Sequence, residues 1–188
     1  MSALLQQIAA EVKTNERTLR RAINEGTLRA VRPSAQTLRM DPVERRYVRT
    51  HWLVIGELRR ALRTEPNVES AVLFGSTARG EDTAASDIDV LVWFRAPSVR
   101  ARRQLRERLQ QRLDRPVQVI EFSGAGRDSP LLKAVLRDGR VLVDRTGNWP
   151  KLRSESEAVR RRALRERHVR AKNAQQAREF FAARTDGR

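Results

Sequence analysis

The 188-residue chain contains no cysteine, which excludes disulfides and thiolate-bound metal. Its two histidines, His51 and His168, are too few to suggest a zinc site. No apolar run approaches the ~20 residues of a membrane span. The opening MSALLQQIAAEV lacks the charged start and cleavage site of a secretory leader. These absences lead to the expectation of a cytoplasmic protein that does not engage a membrane. Lysine is also scarce, confined to Lys13, Lys133, Lys151 and Lys172. Acids fall well short of bases, 23 Asp+Glu against 39 Lys+Arg, for a formal net charge of +16.

The excess of positive charge sits on the flanks. Residues 1–50 hold ten Lys+Arg against five acids, and residues 145–188 hold thirteen against five. Residues 51–144 are closer to balance, at sixteen against thirteen. Such asymmetry points to an acidic partner, most often nucleic acid. The arginine bias explains the choice of base but not the excess of bases over acids.

Within the balanced segment lies FGSTARGEDTAASDIDVLV, from Phe74 to Val92. Apolar runs precede and follow it, so it reads as strand, glycine turn, polar helical stretch and second strand. Asp87 and Asp89 stand at the mouth of the second strand. Residues i and i+2 of a strand share a face, roughly 7 Å apart at ~3.3 Å per residue. The two carboxylates therefore converge while Ile88 points into the core. Hard oxygen ligands that leave coordination positions open suit Mg²⁺ when phosphates complete the shell. Gly75 lets the backbone approach a ligand, and the residues after Ser76 open a helix whose free N–H groups favour phosphate. The Ser76 hydroxyl, Arg79 and Gly80 extend that cradle. A lone Gly-Ser is more often a plain turn, and a lone DxD a solvated strand entrance. Their combination in order, bracketed by strands, carries the signal.

Gly75-Ser76-Thr77-Ala78-Arg79-Gly80 followed by Ser86-Asp87-Ile88-Asp89 resembles the signature of the minimal nucleotidyltransferases, the MNT branch of the polymerase-beta-like superfamily. The resemblance covers about Pro66 to Arg145. It implies a small mixed sheet with flanking helices. It also implies transfer of a nucleoside monophosphate from ATP or another NTP, with Mg²⁺ or Mn²⁺, and release of pyrophosphate. In such proteins the two aspartates hold metal and the serine-containing turn holds the triphosphate. A frequent role implied by the family is that of antitoxin, placing AMP on a HEPN-type partner.

A two-metal site normally adds a third carboxylate from a neighbouring strand. The expected strand is Pro116 to Phe122, PVQVIEF, where the family aspartate commonly falls at the position of Gln118. Glu121 is the only acid of the run. Period-2 alternation puts Gln118 and Glu121 on opposite faces, so Glu121 replaces the missing aspartate only if a bulge intervenes. The site then works with two carboxylates, binds nucleotide without turnover, or is degenerate.

The N-terminal flank offers a use for its charge. Leu4, Leu5, Ile8 and Val12 recur at helical spacing, then Leu19, Ala22 and Ile23 do so after Lys13-Thr14-Asn15. Thr14 or Asn15 caps the second helix and Gly26 ends it. Two short helices and a tight turn make a helix-turn-helix, and this one resembles winged or MerR-like DNA-binding segments. In that reading Arg17, Arg20, Arg21 and Asn24 meet DNA. Otherwise they are solvated residues of a helical hairpin packed on the following domain.

The expected class is α/β (α+β), with a small mixed sheet of nucleotidyltransferase type flanked by helices. Residues 1–40 form the helix-turn-helix, 41–65 a connecting helix, 66–146 the nucleotidyltransferase domain and 147–188 a basic helical tail. Asp41-Pro42 starts the connecting helix. Arg29 to Met40 is a wing or linker. The tail's Arg160, Arg161, Arg162, Arg165, Arg167 and Arg170 form a basic face, and Val159, Ala163, Phe180 and Phe181 offer a route to a homodimer. Three functional classes stay open: a transferase acting on a protein, a DNA-binding regulator with a degenerate or nucleotide-sensing domain, and an RNA-directed transferase.

Overall fold

A computed structural model describes residues 3–33, 38–125 and 129–159, together with 161 and 165. The chain divides into two compact units, residues 1–148 and 149–188.

The first unit opens with helix α1 (Ala3–Glu11) and helix α2 (Glu16–Asn24). Asn15 caps α2, its side chain accepting from Thr18 N at 2.8 Å. Left-handed Gly26 (φ 80°) follows the helix, as the Cβ-free residue must where the chain turns off a helix end. Val31 and Arg39 then pair through an isolated antiparallel bridge, with both backbone bonds at 2.8 Å. Helix α3 (Pro42–Arg63) begins where Asp41 and Pro42 require, with the Asp41 carboxylate accepting from Glu44 N at 2.7 Å. Four strands follow: β1 (Val68–Phe74), β2 (Ile88–Phe94), β3 (Val117–Glu121) and β4 (Arg140–Asp144). Between them lie α4 (Gly75–Arg79), α5 (Val99–Leu113), a 3₁₀ turn at Phe122–Gly124 and α6 (Pro130–Asp138).

The sheet order is β3-β2-β1-β4. The β1–β2 and β1–β4 pairs are antiparallel, and β2–β3 is parallel. A parallel pair needs a crossover, and α5 provides it. Ala71, Leu73, Ile88, Val90, Val92, Val117 and Val119 form the sheet's contribution to one core, met by Leu58 and Leu62 of α3 and Leu105 and Leu109 of α5. A second core joins Leu5, Ile8, Leu19, Ala22 and Leu28 to Tyr47, Val48 and Ile55 of α3. Helix α3 thus gives its first half to the N-terminal helices and its second half to the sheet. Along α3, Val48, Ile55, Leu58 and Leu62 are buried, while Trp52 is only half-buried.

Polar contacts stitch the two cores together. Thr27 Oγ1 donates to Val141 O at 2.5 Å and Val141 N donates to Gly26 O at 3.1 Å. Arg59 reaches back from α3 to Glu25 and Thr27. Arg140 of β4 and Glu44 of α3 form a bidentate pair at 2.6 and 2.8 Å, both almost wholly buried. The same guanidinium donates to Ala78 O at 2.6 Å and lies 3.5 Å from the Tyr47 ring centre.

In the second unit, residues 149–159 are helical and mostly exposed. Arg161 and Arg165 are exposed as well. Arg160, Arg162, Ala163, Arg167, Arg170, Phe180 and Phe181 lie outside the described residues. Among the described residues no helix is long and apolar enough to cross a membrane.

Candidate nucleotide and metal site

The end of β1, the start of β2 and the start of β3 meet at one place. Phe74 pairs with Asp89 across β1 and β2, and Asp89 pairs with Gln118 across β2 and β3. Directly after Phe74 in the chain stands Gly75, which starts α4 with φ 74°. A Cβ on Gly75 would overlap Asp89 Oδ2. The residue must therefore be glycine on two counts: a left-handed backbone and a carboxylate packed against its Cα. The turn and the aspartate of the signature are one packed unit, although fourteen positions separate them in sequence.

Thr77 and Ala78 of α4 are buried, whereas Gly75 and Ser76 stay half-exposed. The helices α2, α3, α5 and α6 each have a side-chain cap, from Asn15, Asp41, Ser98 and Ser129. α4 has none at Phe74, so its first N–H groups keep their donor capacity. Gly80 ends α4 in the left-handed region (φ 77°), with Tyr47 Cδ2 3.0 Å from where a Cβ would stand.

The loop from Glu81 to Asp87 delivers the carboxylates, and Asp82 holds that loop. Its Oδ1 lies 2.7 Å from His51 Nε2 and its Oδ2 accepts from Arg115 at 2.9 Å. Burial works against ionisation of Asp82, but the hydrogen bonds from His51 and Arg115 outweigh it and lower its pKa. His51 also stacks on Tyr47, with ring centres 4.5 Å apart. A turn from Thr83 to Ser86 tightens the loop, Thr83 N donating to Ser86 Oγ at 2.9 Å.

Asp87 is exposed just ahead of β2, and Asp89 is half-buried within it. Burial raises the pKa of Asp89, the negative charge of Asp87 raises it further, and Arg79 opposes both. A carboxylate disfavoured by a like charge beside it gains from a cation placed between them. Gln118 is exposed next to Asp89 in the parallel register, on the same face. Glu121 pairs with Val92 and follows Val117 and Val119 on the core-facing side. No bulge interrupts the β2–β3 register, so Glu121 stays away from Asp89. Among the described residues no group of three His, Cys, Asp or Glu side chains could hold a metal ion. Two carboxylates with a neutral amide beside them fit a hard divalent ion that takes much of its shell from phosphate and water.

Arg79 ends α4, near enough to act on the charge of Asp89, and is anchored to two acids, Glu81 at 2.7 Å and Asp138 at 3.1 Å. Asp138 escapes sequence reading, because DG at 138–139 reads as a turn. His51 likewise reads as a packing residue; its bond to Asp82 spans 31 positions, and nothing local announces it.

The candidate DNA residues share one side of α2. Arg17, Arg21 and Asn24 are exposed and Arg20 is half-exposed, opposite Leu19 and Ala22. Arg20 pairs with Glu16 and Arg21 with Glu25. Asn24 accepts from Arg32, next to the Val31–Arg39 bridge, at 2.6 Å.

Residues 57–148 match the family described as "Polymerase beta, Nucleotidyltransferase". No curated protein matches the sequence. Among solved structures, a toxin–antitoxin complex with AMP-PNP is 22% identical, with TM-score 0.49 over 64% of this chain and 98% of that one. The tri-AMPylated Shewanella oneidensis HEPN toxin in complex with MNT antitoxin is 20% identical, with TM-score 0.47 over 67% and 99%. The MntA–HepT toxin–antitoxin is 21% identical, with TM-score 0.46 over 66% and 98%.

Proposed function

We propose that the chain, whose residues 57–148 match the family described as "Polymerase beta, Nucleotidyltransferase", transfers AMP from ATP to a protein acceptor. The observation that carries this reading is the packing of Asp89 against Gly75, which joins a phosphate-type turn to a pair of carboxylates. Gly75, Ser76 and the uncapped start of α4 receive the polyphosphate. Asp87 and Asp89, with Gln118 beside them, would hold Mg²⁺ or Mn²⁺, which would offset charge on the phosphates. The acceptor hydroxyl oxygen forms a bond to the α-phosphorus and the bond to the β-phosphate oxygen breaks. Pyrophosphate leaves, and the acceptor proton passes to solvent. The protein's task is to position groups and stabilise charge.

The acceptor that fits the signature is a HEPN-type protein, which makes this chain an antitoxin. Transfer of label from α-labelled ATP, with Mg²⁺ or Mn²⁺ and a cognate HEPN protein, tests the activity. Label should appear on the acceptor with wild type and disappear with Asp87→Ala. Equal label with both proteins would overturn the reading.

A second reading is favoured by one observation, the neutral Gln118 beside Asp89. In it the site binds nucleotide without turnover and the chain acts as a DNA-binding regulator through α2. Arg17, Arg20, Arg21 and Asn24 then meet DNA, at a cytoplasmic location and in a homodimer that presents two α2 helices. Gel retardation that survives Asp87→Ala but not Arg17→Ala with Arg21→Ala supports it. Retention of single-stranded RNA in preference to duplex DNA would favour an RNA-directed transferase instead.

A further inference from the structure

The guanidinium of Arg79 has three donor edges and a fixed plane. Nε donates to Glu81 at 2.7 Å and Nη1 donates to Asp138 at 3.1 Å. Nη2 has no partner among the described residues. The two anchors differ in strength. The Glu81 side chain is 62% exposed and that of Asp138 only 7%. An exposed ion pair fixes geometry weakly, so Asp138 sets the orientation.

Asp138 is itself held from three sides. Arg137 forks both carboxylate oxygens at 2.9 Å. The Asp138 carbonyl accepts from Arg29 at 2.7 Å, and the residue closes α6. Two positions on, Arg140 donates to the carbonyl of Ala78, the residue before Arg79. The segment 138–140 thus grips the last turn of α4 by side chain and by main chain.

We propose that Asp138 is a positioning residue. It holds Arg79 so that the free Nη2 edge is presented to the polyphosphate of a nucleoside triphosphate seated at Gly75 and Ser76. The proposal rests on the nucleotidyltransferase reading and adds to it a residue outside the signature. Arg79 touches the substrate, and Asp138 acts through Arg79.

A double-mutant cycle tests it, with a nonhydrolysable ATP analogue and Mg²⁺ titrated into wild type, Arg79→Ala, Asp138→Asn, Asp138→Ala, Glu81→Ala, Arg79→Ala/Asp138→Ala and, as a control for the site itself, Asp89→Ala. Loss of a charge-assisted bond predicts binding weaker by about tenfold for both Asp138 variants. Arg79→Ala should lose at least as much, the double variant no more than Arg79→Ala alone, and Glu81→Ala less than about twofold. In the transfer reaction the Asp138 loss should fall on KM, with kcat kept. Asp138→Asn decides the matter if Asp138→Ala does not fold. Wild-type affinity in Asp138→Asn, or losses in the double variant that simply add, would overturn the proposal. Wild-type affinity in Arg79→Ala alongside lost affinity in Asp89→Ala would overturn it and leave the nucleotide site standing. Absence of nucleotide binding by wild type would remove both.

Discussion

At the scale of single residues, the site is held by contacts that sacrifice some stability. Asp89 is half-buried beside Asp87, and its pKa is raised by burial first and by Asp87 second. An acid whose folded pKa is raised adds stability only while protonated. Its contribution is full below the unfolded value near 3.9 and is lost as pH rises through the folded value. Asp89→Asn should therefore melt higher than wild type at pH 7, with the gap closing towards pH 4. Asp89 keeps partial access to water, so the gain should stay below about 1 kcal/mol, or roughly 2–4 °C. Thermal melts at both pH values check this, and an equal gap at both would contradict it. Gly75→Ala meets both a left-handed backbone costing about 1–2 kcal/mol and the Asp89 carboxylate. It should lose nucleotide affinity while still folding, as read by titration beside a melt. Gly75, Asp87 and Asp89 were legible in sequence because the signature is local and period-2 geometry places both acids on one face. Asp82, His51 and Asp138 were not, since each acts through a partner 31 or more positions away.

At the scale of elements, one buried ion pair decides how the pieces hold together. Arg140 and Glu44 join β4 to α3, and Arg140 also grips α4. Removing one member leaves the other buried without its counter-charge. Glu44→Gln should therefore cost about 3–5 kcal/mol, read by urea denaturation. Arg140→Met should cost a similar amount, and the double variant much less than the sum of the two. Strict additivity would show that the pair is not coupled. The elements themselves were largely legible. Asp41-Pro42 marked the start of α3, and alternation marked β2 and β3. What a single sequence withheld was the strand order and the fusion of the N-terminal helices to β4. Both depend on pairings such as Thr27 with Val141, separated by more than a hundred positions and carried by residues with no local signature.

At the scale of the whole molecule, the fusion changes how the charge excess must be tested. Deleting residues 1–32 would remove Leu5, Ile8, Leu19 and Leu28 from a shared core, so lost binding would report lost folding. Surface substitutions on α2 avoid that difficulty. In the regulator reading, Arg17→Ala should weaken duplex DNA binding across sequences and lower the salt slope by about 1. Melting should be unchanged, because Arg17 is exposed. An unchanged slope would assign Arg17 to solvent. The candidate nucleotide site and α2 belong to the same compact unit, so one protein preparation serves both questions.

The central claim is that Gly75, Ser76, Asp87 and Asp89 form a single nucleotide-and-metal site. Calorimetric titration of a nonhydrolysable ATP analogue, with and without Mg²⁺, tests it most directly in wild type and in Asp87→Ala/Asp89→Ala. The predicted result is binding that Mg²⁺ strengthens by about tenfold or more in wild type and leaves unchanged in the double variant. Binding indifferent to Mg²⁺ in wild type, or equally strengthened in both proteins, would contradict it.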